Sequence, residues 1–335
     1  MKNAIIIGGT GTISSAVTKA AAMMPGWRIF VLNRGNRSDV LPDNVTQLHC
    51  DVNDEAAVQK VTEGLSFDCA CDFIGYRREH AERDWRIFRG RTSQFIFISS
   101  ASAYLKPCPS VTITEETPLG NPFWQYSRDK MDCENFLTGK YLGEHFPVTV
   151  VRPSHTYDER KVPVAVHGEK GSWQVLQRML DGKPVIVHGG GDSLWTLTHN
   201  SDFARGFTGL MGNADAVGEA FHITSDESLT WNEIYSATAD ALGVPYRPVY
   251  ISSEKLAVLG KRYDLRGALF GDKANSVKFD NSKLKKFVPG YEARIPFREG
   301  VRKTVENILA RPELRIPDPE FDAWCDETIA AAPSL

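Results

Sequence analysis

A tyrosine and a lysine four residues apart, Tyr126 and Lys130, form the most chemically suggestive pair in the chain. They lie in a segment predicted to be a long helix, residues 123–143, where positions i and i+4 share one face. A nearby ammonium group favours the phenolate, so Lys130 is expected to lower the pKa of the Tyr126 phenol. A phenol tuned in this way can give or take a proton near neutral pH, which predicts a general acid/base.

A second pair with the same spacing, Tyr157 and Lys161, shows that the pattern alone is weak evidence. The chain contains ten tyrosines, so a match by chance is expected about as often as not. This second pair follows a predicted strand and precedes Pro163, where a helix is not expected. We therefore assign the acid/base role to Tyr126.

Hydroxyl side chains end the strand that precedes Tyr126. The segment FIFISSASAY, residues 95–104, starts as an apolar strand and runs into serines. Because ligands of open α/β sheets bind beyond the carboxyl ends of the strands, a serine here can hold a substrate hydroxyl or carbonyl beside Tyr126. The alternative is that at least one of Ser99 and Ser102 only caps the strand end.

The first fifteen residues, MKNAIIIGGTGTISS, predict a strand, a glycine turn and the start of a helix. The wholly apolar run at residues 4–7 is typical of a buried strand in a parallel sheet. Gly8 and Gly11 permit a tight turn in which backbone amides approach a pyrophosphate at the positive end of the helix. Ser14 takes the place of the usual third glycine and is small enough for close packing. A glycine-rich turn of another α/β protein is the alternative.

Predicted strands alternate with helices over the first 150 residues or so, which indicates right-handed crossovers and a parallel sheet. Beyond Arg152 the alternation stops, and the strand at residues 220–223 is expected to return to the sheet. The sequence therefore predicts an α/β fold, a Rossmann-type doubly wound parallel sheet with a smaller, interleaved C-terminal substrate-binding domain. We assign residues 1–155 and about 196–228 to the nucleotide-binding domain, and about 156–195 and 229–335 to the substrate-binding part.

Net charge and composition limit the kinds of partner that this chain is expected to have. The net charge is −3 and the pI about 6.3, which gives no electrostatic footprint for a nucleic-acid backbone. We find no signal-peptide pattern and no apolar run near the roughly 18 residues that span a bilayer, so we expect a cytoplasmic protein without a membrane partner. The six cysteines have no metal-ligand spacing and are predicted to be free thiols; no metal site is expected.

Taken together, these motifs resemble the extended short-chain dehydrogenase/reductases, the NAD(P)-dependent epimerase/dehydratase family. The likeness runs from the glycine turn through FISSASAY, YSRDK and VVRPSHTYD to the C-terminal segment FDNSKLKKFVPGYEARIPFREGV. The resemblance implies that Tyr126 is the acid/base, that Lys130 holds the nicotinamide ribose, and that Ser100 orients the substrate, with Ser102 second. The cofactor contacts implied in this way are Gly8, Gly11, Thr12, Ile13, Asn33, Arg34, Asp51, Val52, Lys130, Arg152 and Pro153.

The end of the second predicted strand bears on the choice of cofactor. Sites that prefer NAD place an Asp or Glu there to bind the ribose 2′-hydroxyl, whereas this chain has Asn33 followed by Arg34 and Arg37. No carboxylate repels a 2′-phosphate, and arginine binds phosphate with two hydrogen bonds. We therefore expect NADP in preference to NAD. The alternative is that both arginines are solvated charges of the turn.

Two departures from the family pattern affect the substrate. His155 stands where many sugar-nucleotide epimerases have an asparagine, and Asp158 where they have glycine. The segments GTISS, LNRG and RPSHTYD resemble an atypical branch of the family that is related also to a plastid RNA-associated group. His155 is predicted either to contact the substrate or to make a structural hydrogen bond.

The predicted function is that of an NAD(P)-dependent epimerase/dehydratase-like oxidoreductase acting on a sugar-like substrate, of which a nucleotide sugar is one form. One alternative is an NADPH-dependent carbonyl reductase of a small ketone or aldehyde. The other is a non-catalytic, cofactor-binding regulatory or RNA-associated protein. The intact set of Ser100, Tyr126 and Lys130 and the acidic pI weigh against this last reading, and we expect no nucleic-acid partner. The resemblance also allows a homodimer formed through the helix at residues 123–143.

Overall fold

The computed structural model describes residues 1–35 and 41–331. Its strands are, in chain order, β1 (Lys2–Ile7), β2 (Trp27–Asn33), β3 (Val45–His49), β4 (Cys69–Asp72), β5 (Phe95–Ile98), β6 (Thr112–Ile113), β7 (Val148–Pro153), β8 (His155–Tyr157), β9 (Val185–His188), β10 (Leu194–Trp195), β11 (Leu197–His199), β12 (Ala220–Ile223), β13 (Leu229–Thr230), β14 (Pro248–Ile251) and β15 (Lys278–Phe279). Its α-helices are α1 (Ser14–Ala22), α2 (Glu55–Val61), α3 (Arg78–Phe88), α4 (Gln125–Glu144), α5 (Trp173–Leu180), α6 (Asn200–Leu210), α7 (Trp231–Leu242), α8 (Ser253–Leu259), α9 (Leu265–Ala268), α10 (Ser282–Phe287), α11 (Phe297–Ala310) and α12 (Pro319–Ala330).

Within the described residues, the main sheet contains seven parallel strands in the order β12-β7-β5-β4-β1-β2-β3. The strand order reverses between β1 and β4, since the chain moves outward from β1 first to β3 and then in the other direction. In such sheets the ligand crevice opens at this reversal, beyond the carboxyl ends of the strands. Ile7 at the end of β1 pairs with both Leu32 and Asp72, so three strands end at the same edge.

Helices cover both faces of the sheet, which explains why its central strands are apolar throughout. Ala4 and Ile6 pack against α1 and α6, whereas Ile5 and Ile7 pack against α2, α3 and α4. The alternation follows from the two-residue period of a strand. The predicted doubly wound α/β fold is confirmed, and β12 returns to the sheet beside β7 as expected.

The rest of the chain forms a second hydrophobic core beside the carboxyl edge of the sheet. Its largest fully buried side chain is Trp231 at the start of α7, which stacks on Trp195 at a centroid distance of 5.9 Å. Helix α7 begins with the predicted capping box: the Thr230 side chain accepts from the Glu233 amide, and the Glu233 carboxylate accepts from the Thr230 amide. The main sheet itself is built from residues 2–153 and 220–223, while the two-domain division drawn from the sequence stays a prediction.

The cysteines are free thiols in the structure. Cys69 and Cys71 are buried, and their sulfurs lie 3.6 Å apart on one face of β4. In residues 1–35 and 41–331, no group of three or more potential metal ligands is arranged to hold an ion. The same part of the chain contains no helix that is both long and apolar enough to cross a membrane.

Candidate active site

The glycine turn after β1 is held together by Ser14. Its hydroxyl donates to the Gly8 carbonyl at 2.6 Å and accepts from the Gly11 amide at 2.8 Å. Gly8 has a φ of +74°, and a Cβ there would lie 2.5 Å from Cγ2 of Ile74, so only glycine fits. Ser14 therefore replaces the third glycine with a side chain that ties the two ends of the turn.

A cavity of about 600 Å³ opens over this turn. It is bounded by the N-terminus of α1 and by the ends of β2 and β3. Eight of the residues predicted to bind the cofactor line this cavity: Gly8, Gly11, Thr12, Ile13, Asn33, Arg34, Asp51 and Val52. Glycine backbone, the positive end of α1 and an exposed arginine fit a dinucleotide with its pyrophosphate at the turn.

The end of β2 presents an arginine to this cavity and a neutral amide beside it. The Asn33 carboxamide oxygen accepts from the Gly35 amide at 2.8 Å and so shapes the turn. Arg34 lines the cavity and is exposed. Arg37, the second arginine considered for phosphate binding, lies outside the described residues.

A second cavity, of about 380 Å³, continues from the first. Four residues line both: Ile13, Phe73, Tyr76 and Ile98. The second cavity brings together the remaining predicted site residues other than Arg152. They come from three separate segments of the chain: Ser100, Ser102, Tyr126, Lys130, Pro153 and His155. Pro153, a predicted cofactor contact, thus lines the second cavity.

Tyr126 differs from the expectation in its ionisation. Burial raises the pKa of the Tyr126 phenol to about 12, and the Ser100 hydroxyl opposes this only in part. The ammonium of Lys130 lies 5.9 Å from the centroid of the Tyr126 ring, and it donates to the carbonyls of Gly75 at 2.6 Å and Ile98 at 2.7 Å. The prediction of a lowered pKa is therefore wrong, because burial disfavours the charged phenolate and Lys130 donates to the two carbonyls.

Lys130 is itself buried, with 2% of its surface exposed. Burial lowers the pKa of the Lys130 ammonium to about 8, while the charge of Asp72 acts in the opposite direction. The Tyr76 ring lies over the ammonium at 4.8 Å. Lys130 is therefore fixed in the wall of the second cavity, between backbone carbonyls and the Tyr76 ring, which lines both cavities.

The serines of the strand end have different surroundings. Ser102 is buried, its hydroxyl accepts from Ser127 at 2.8 Å, and its carbonyl accepts from Asn121 at 2.7 Å. Ser100 is half-buried, and its hydroxyl lies 2.9 Å from that of Ser102. Ser100 is therefore the serine with a face toward the cavity, and Ser102 anchors it. The Ser99 hydroxyl is buried and has no hydrogen-bond partner among the described residues.

Arg152, a predicted cofactor contact, lies outside both cavities. It is buried, and its guanidinium binds the Glu134 carboxylate at 2.7 Å and the Tyr104 hydroxyl at 3.0 Å. A buried ion pair of this kind has a structural role, since an unpaired guanidinium there would be costly.

The rival tyrosine, Tyr157, belongs to the core of the C-terminal part. Its side chain is 2% exposed and packs edge-on against the rings of His199 and Phe297. Its hydroxyl has no hydrogen-bond partner in the part of the chain that the structure describes. It lies on the short strand β8, so it does not share a helix face with Lys161.

Several residues that line the second cavity carry no sequence signal. Asp272 and Lys273 reach it from a single π-helical turn, Leu269–Lys273, and Trp124 and Trp195 complete its wall. A π turn inside a helical segment is frequent at functional sites. Asp272, Lys273 and Trp195 have no spacing motif, because only the tertiary fold brings them beside Tyr126, whereas Trp124 precedes Tyr126 by two residues and packs on its ring at 5.0 Å.

Known proteins resemble the chain as follows. A model of the NAD dependent epimerase/dehydratase family matches residues 4–224. The 2'-dehydrokanamycin reductase of Streptomyces kanamyceticus is 24% identical over 250 residues, which cover 75% of this chain and 69% of that protein. The chloroplast stem-loop binding protein of 41 kDa b from Arabidopsis thaliana is 24% identical over 274 residues, covering 78% and 68%. The structure of an epimerase from Methanothermobacter thermautotrophicus has a TM-score of 0.75 at 16% identity and covers 94% of both chains, which shows a shared fold.

Proposed function

Because the chain belongs to the NAD dependent epimerase/dehydratase family, we propose that it is an oxidoreductase of a sugar-like substrate with Tyr126 as its acid/base. One observation carries the proposal. Tyr126 and Ser100 line a cavity that continues from the glycine-turn cavity, so a substrate carbon can meet a nicotinamide at their junction. Lys130 lines the second cavity and donates to the carbonyl of Ile98, a residue that lines both cavities.

Each residue has a defined part in the reaction. Bound NAD(P) supplies or accepts the hydride. In the reductive direction, Ser100 donates a hydrogen bond to the substrate carbonyl oxygen, and Tyr126 gives that oxygen its proton as the carbon gains the hydride. In the oxidative direction, the phenolate takes the hydroxyl proton as the hydride leaves. Lys130 stabilises the phenolate and, by the family resemblance, holds the nicotinamide ribose.

The raised pKa of Tyr126 favours the reductive direction at neutral pH. With a pKa of about 12, the phenol carries the proton that reduction requires. This supports a second candidate, net reduction of a ketone with exchange of NADPH in every turnover. The similarity to a protein named 2'-dehydrokanamycin reductase favours the same candidate. An epimerase would instead return the hydride to the opposite face of the ketone.

The proposed cofactor is NADP. Arg34 is exposed in the glycine-turn cavity, and the neighbouring Asn33 has no charge to repel a 2′-phosphate. NAD, after which the family is named, is the alternative.

The proposal is tested with Tyr126→Phe, which removes only the transferable proton. We expect turnover to fall about a hundredfold or more, while calorimetric titration shows unchanged binding of NADP⁺. Tyr157→Phe is the matched control and should leave turnover unchanged, because its hydroxyl lies in the core. A damaging Tyr157→Phe with a harmless Tyr126→Phe would contradict the assignment.

The reaction type is tested on the unmodified protein with nucleotide sugars, free sugars and small ketones. Absorbance of the reduced nicotinamide and stereochemistry of the product are followed together. Isomerised sugar without net change in absorbance identifies an epimerase. Stoichiometric consumption of NADPH without isomerised sugar identifies a reductase.

A further inference from the structure

A buried lysine that the proposed reaction does not use faces the substrate cavity. Lys273 is 7% exposed and lines the cavity of Tyr126 and Ser100. Its ammonium lies 5.8 Å from the Trp124 ring centroid and makes no hydrogen bond or ion pair with the described residues. An ammonium taken out of water without a directly bonded counter-ion is costly, so its position points to a ligand of opposite charge.

A second lysine, Lys161, lines the next cavity and is exposed on its outer side. This third cavity, of about 260 Å³, continues from the substrate cavity at Ile13, His155 and Thr156. Lys161 lines it and makes no hydrogen bond or ion pair with any part of the chain that the structure describes. The Asp158 carboxylate at the same cavity does not neutralise Lys161, because it already binds Arg160 at 2.6 Å.

The two lysines act on one another and on the same histidines. The charge of Lys273, together with burial, lowers the pKa of the Lys161 ammonium. Burial and both ammonium groups lower the pKa of His155 to about 3 and that of His167 to about 4. Both imidazoles are therefore neutral at pH 7, and the positive charge comes from the lysines. Nδ1 of His167 donates to the Gly168 carbonyl, so His155 is the imidazole that can donate a hydrogen bond to an anion.

Burial lowers the pKa of the Lys273 ammonium, and two nearby carboxylates, Asp272 and Asp264, favour its charged form. Asp272 lines the substrate cavity beside Lys273, and burial raises the pKa of its carboxyl to about 6. It forms no ion pair with Lys273 among the described residues. Asp272 is therefore expected to weaken the binding of an anion at Lys273. Replacing its carboxylate should have the opposite effect from replacing either lysine.

We propose that Lys273 and Lys161 bind an anionic group of the substrate, a phosphate or a carboxylate, where the second and third cavities meet. The inference rests on the proposed function, since the ligand is the substrate on which Tyr126 acts. It adds the substrate class: a sugar-like compound whose reacting carbon lies at Tyr126 and whose acid group extends away from the glycine turn.

Binding is measured by calorimetric titration of the full chain saturated with NADP⁺, so that the cofactor cavity is filled. The probes are glucose 6-phosphate, glucuronate and neutral glucose, each up to about 10 mM, a range that captures millimolar affinity. We expect one or both acids to bind at least about tenfold tighter than glucose. Lys273→Met and Lys161→Met should each lower the affinity for that acid about tenfold or more, and Asp272→Asn should raise this affinity.

The controls separate the outcomes. Lys60→Met on the exposed surface of α2 should change nothing. The inference is overturned if neither acid binds more tightly than glucose, if both lysine variants leave the acids unaffected, or if they weaken only NADP⁺. These results do not depend on turnover, so a failure here with an inactive Tyr126→Phe leaves the proposed function in place. A preference for acids with an active Tyr126→Phe would overturn the function alone.

Discussion

The pKa values and hydrogen-bond partners of Tyr126 and Lys130 depend on surroundings that their sequence motif does not describe. Tyr126 and Lys130 line one cavity, as their spacing predicts. The spacing does not predict the pKa of Tyr126, which is raised and not lowered. Spacing says which face a residue occupies, whereas the pKa depends on burial by the surrounding chain. Lys130 donates to carbonyls from the loop after β4 and from β5, and neither contact can be read from the helix that carries it.

Arg34→Ala tests the cofactor at the same scale. The variant should lose NADPH affinity while NADH affinity stays nearly constant, because only NADPH has the 2′-phosphate that the guanidinium would bind. The loss of a charge-assisted hydrogen bond is worth about 1.5–3 kcal/mol, or at least tenfold in Kd. Calorimetric titration of both cofactors measures the difference.

Arg28→Ala is the control for Arg34→Ala, since that exposed arginine lies in β2 and lines none of the three cavities described above. Equal loss of NADPH and NADH in Arg34→Ala would contradict the preference for NADP. Tighter binding of NADH than NADPH by the unmodified protein would contradict it as well.

At the scale of elements, apolar runs and caps were predictable because their causes are local. Buried strands β1 and β5 follow from short apolar runs, and the start of α7 follows from the Thr230–Glu233 capping box. The π turn that carries Lys273 has no such local cause. A Cβ on Gly271 would lie 2.7 Å from Cβ of Trp124, so this glycine permits the close approach that brings Lys273 to the site. Such packing is visible only in the fold.

The Ser14 bridge is an element-scale feature with a measurable effect. Ser14→Ala removes the hydroxyl that joins the Gly8 carbonyl to the Gly11 amide. Each lost hydrogen bond is worth about 1 kcal/mol, so urea unfolding should show a loss of about 1–2 kcal/mol. Because the glycine turn loses the two hydrogen bonds that hold its conformation, NADP⁺ should also bind more weakly.

Ser15→Ala at the next position is the matched control, since no side-chain hydrogen bond of Ser15 is present among the described residues. It should unfold at nearly the same urea concentration as the unmodified protein. An equal effect of the two substitutions would show that the bridge does not stabilise the turn.

At the scale of the whole molecule, the family and the doubly wound sheet were predicted correctly, since glycine turn, strand end and helix pair occur in one order along the chain. The homodimer through α4 stays a prediction. Buried histidines were not predicted, because single histidines carry no pattern. His222 is fully buried between the Tyr104 hydroxyl and the Glu115 side chain, and His188 is 2% exposed between Ser193 and the π turn.

These histidines make stability depend on pH. Burial lowers the pKa of His222 to about 3 and that of His188 to about 4, whereas an unfolded chain protonates histidine near pH 6.5. Below pH 6.5 the unfolded chain therefore binds more protons than the folded one, and stability falls as the pH decreases. Asp272 acts in the opposite direction, because its pKa is raised to about 6 and its protonation favours the folded state.

We expect the free energy of unfolding to fall between pH 6.5 and 5 by about 1 kcal/mol per pH unit for each such histidine. Urea unfolding at several pH values measures it. His222→Gln should be less stable at pH 7.5, because a buried hydrogen bond to Tyr104 is altered, but its stability should depend less on pH. His49→Gln, at an exposed position of β3, should keep the slope of the unmodified protein. If His222→Gln keeps that slope too, the imidazole of His222 is charged in the folded state, which contradicts a neutral, buried histidine.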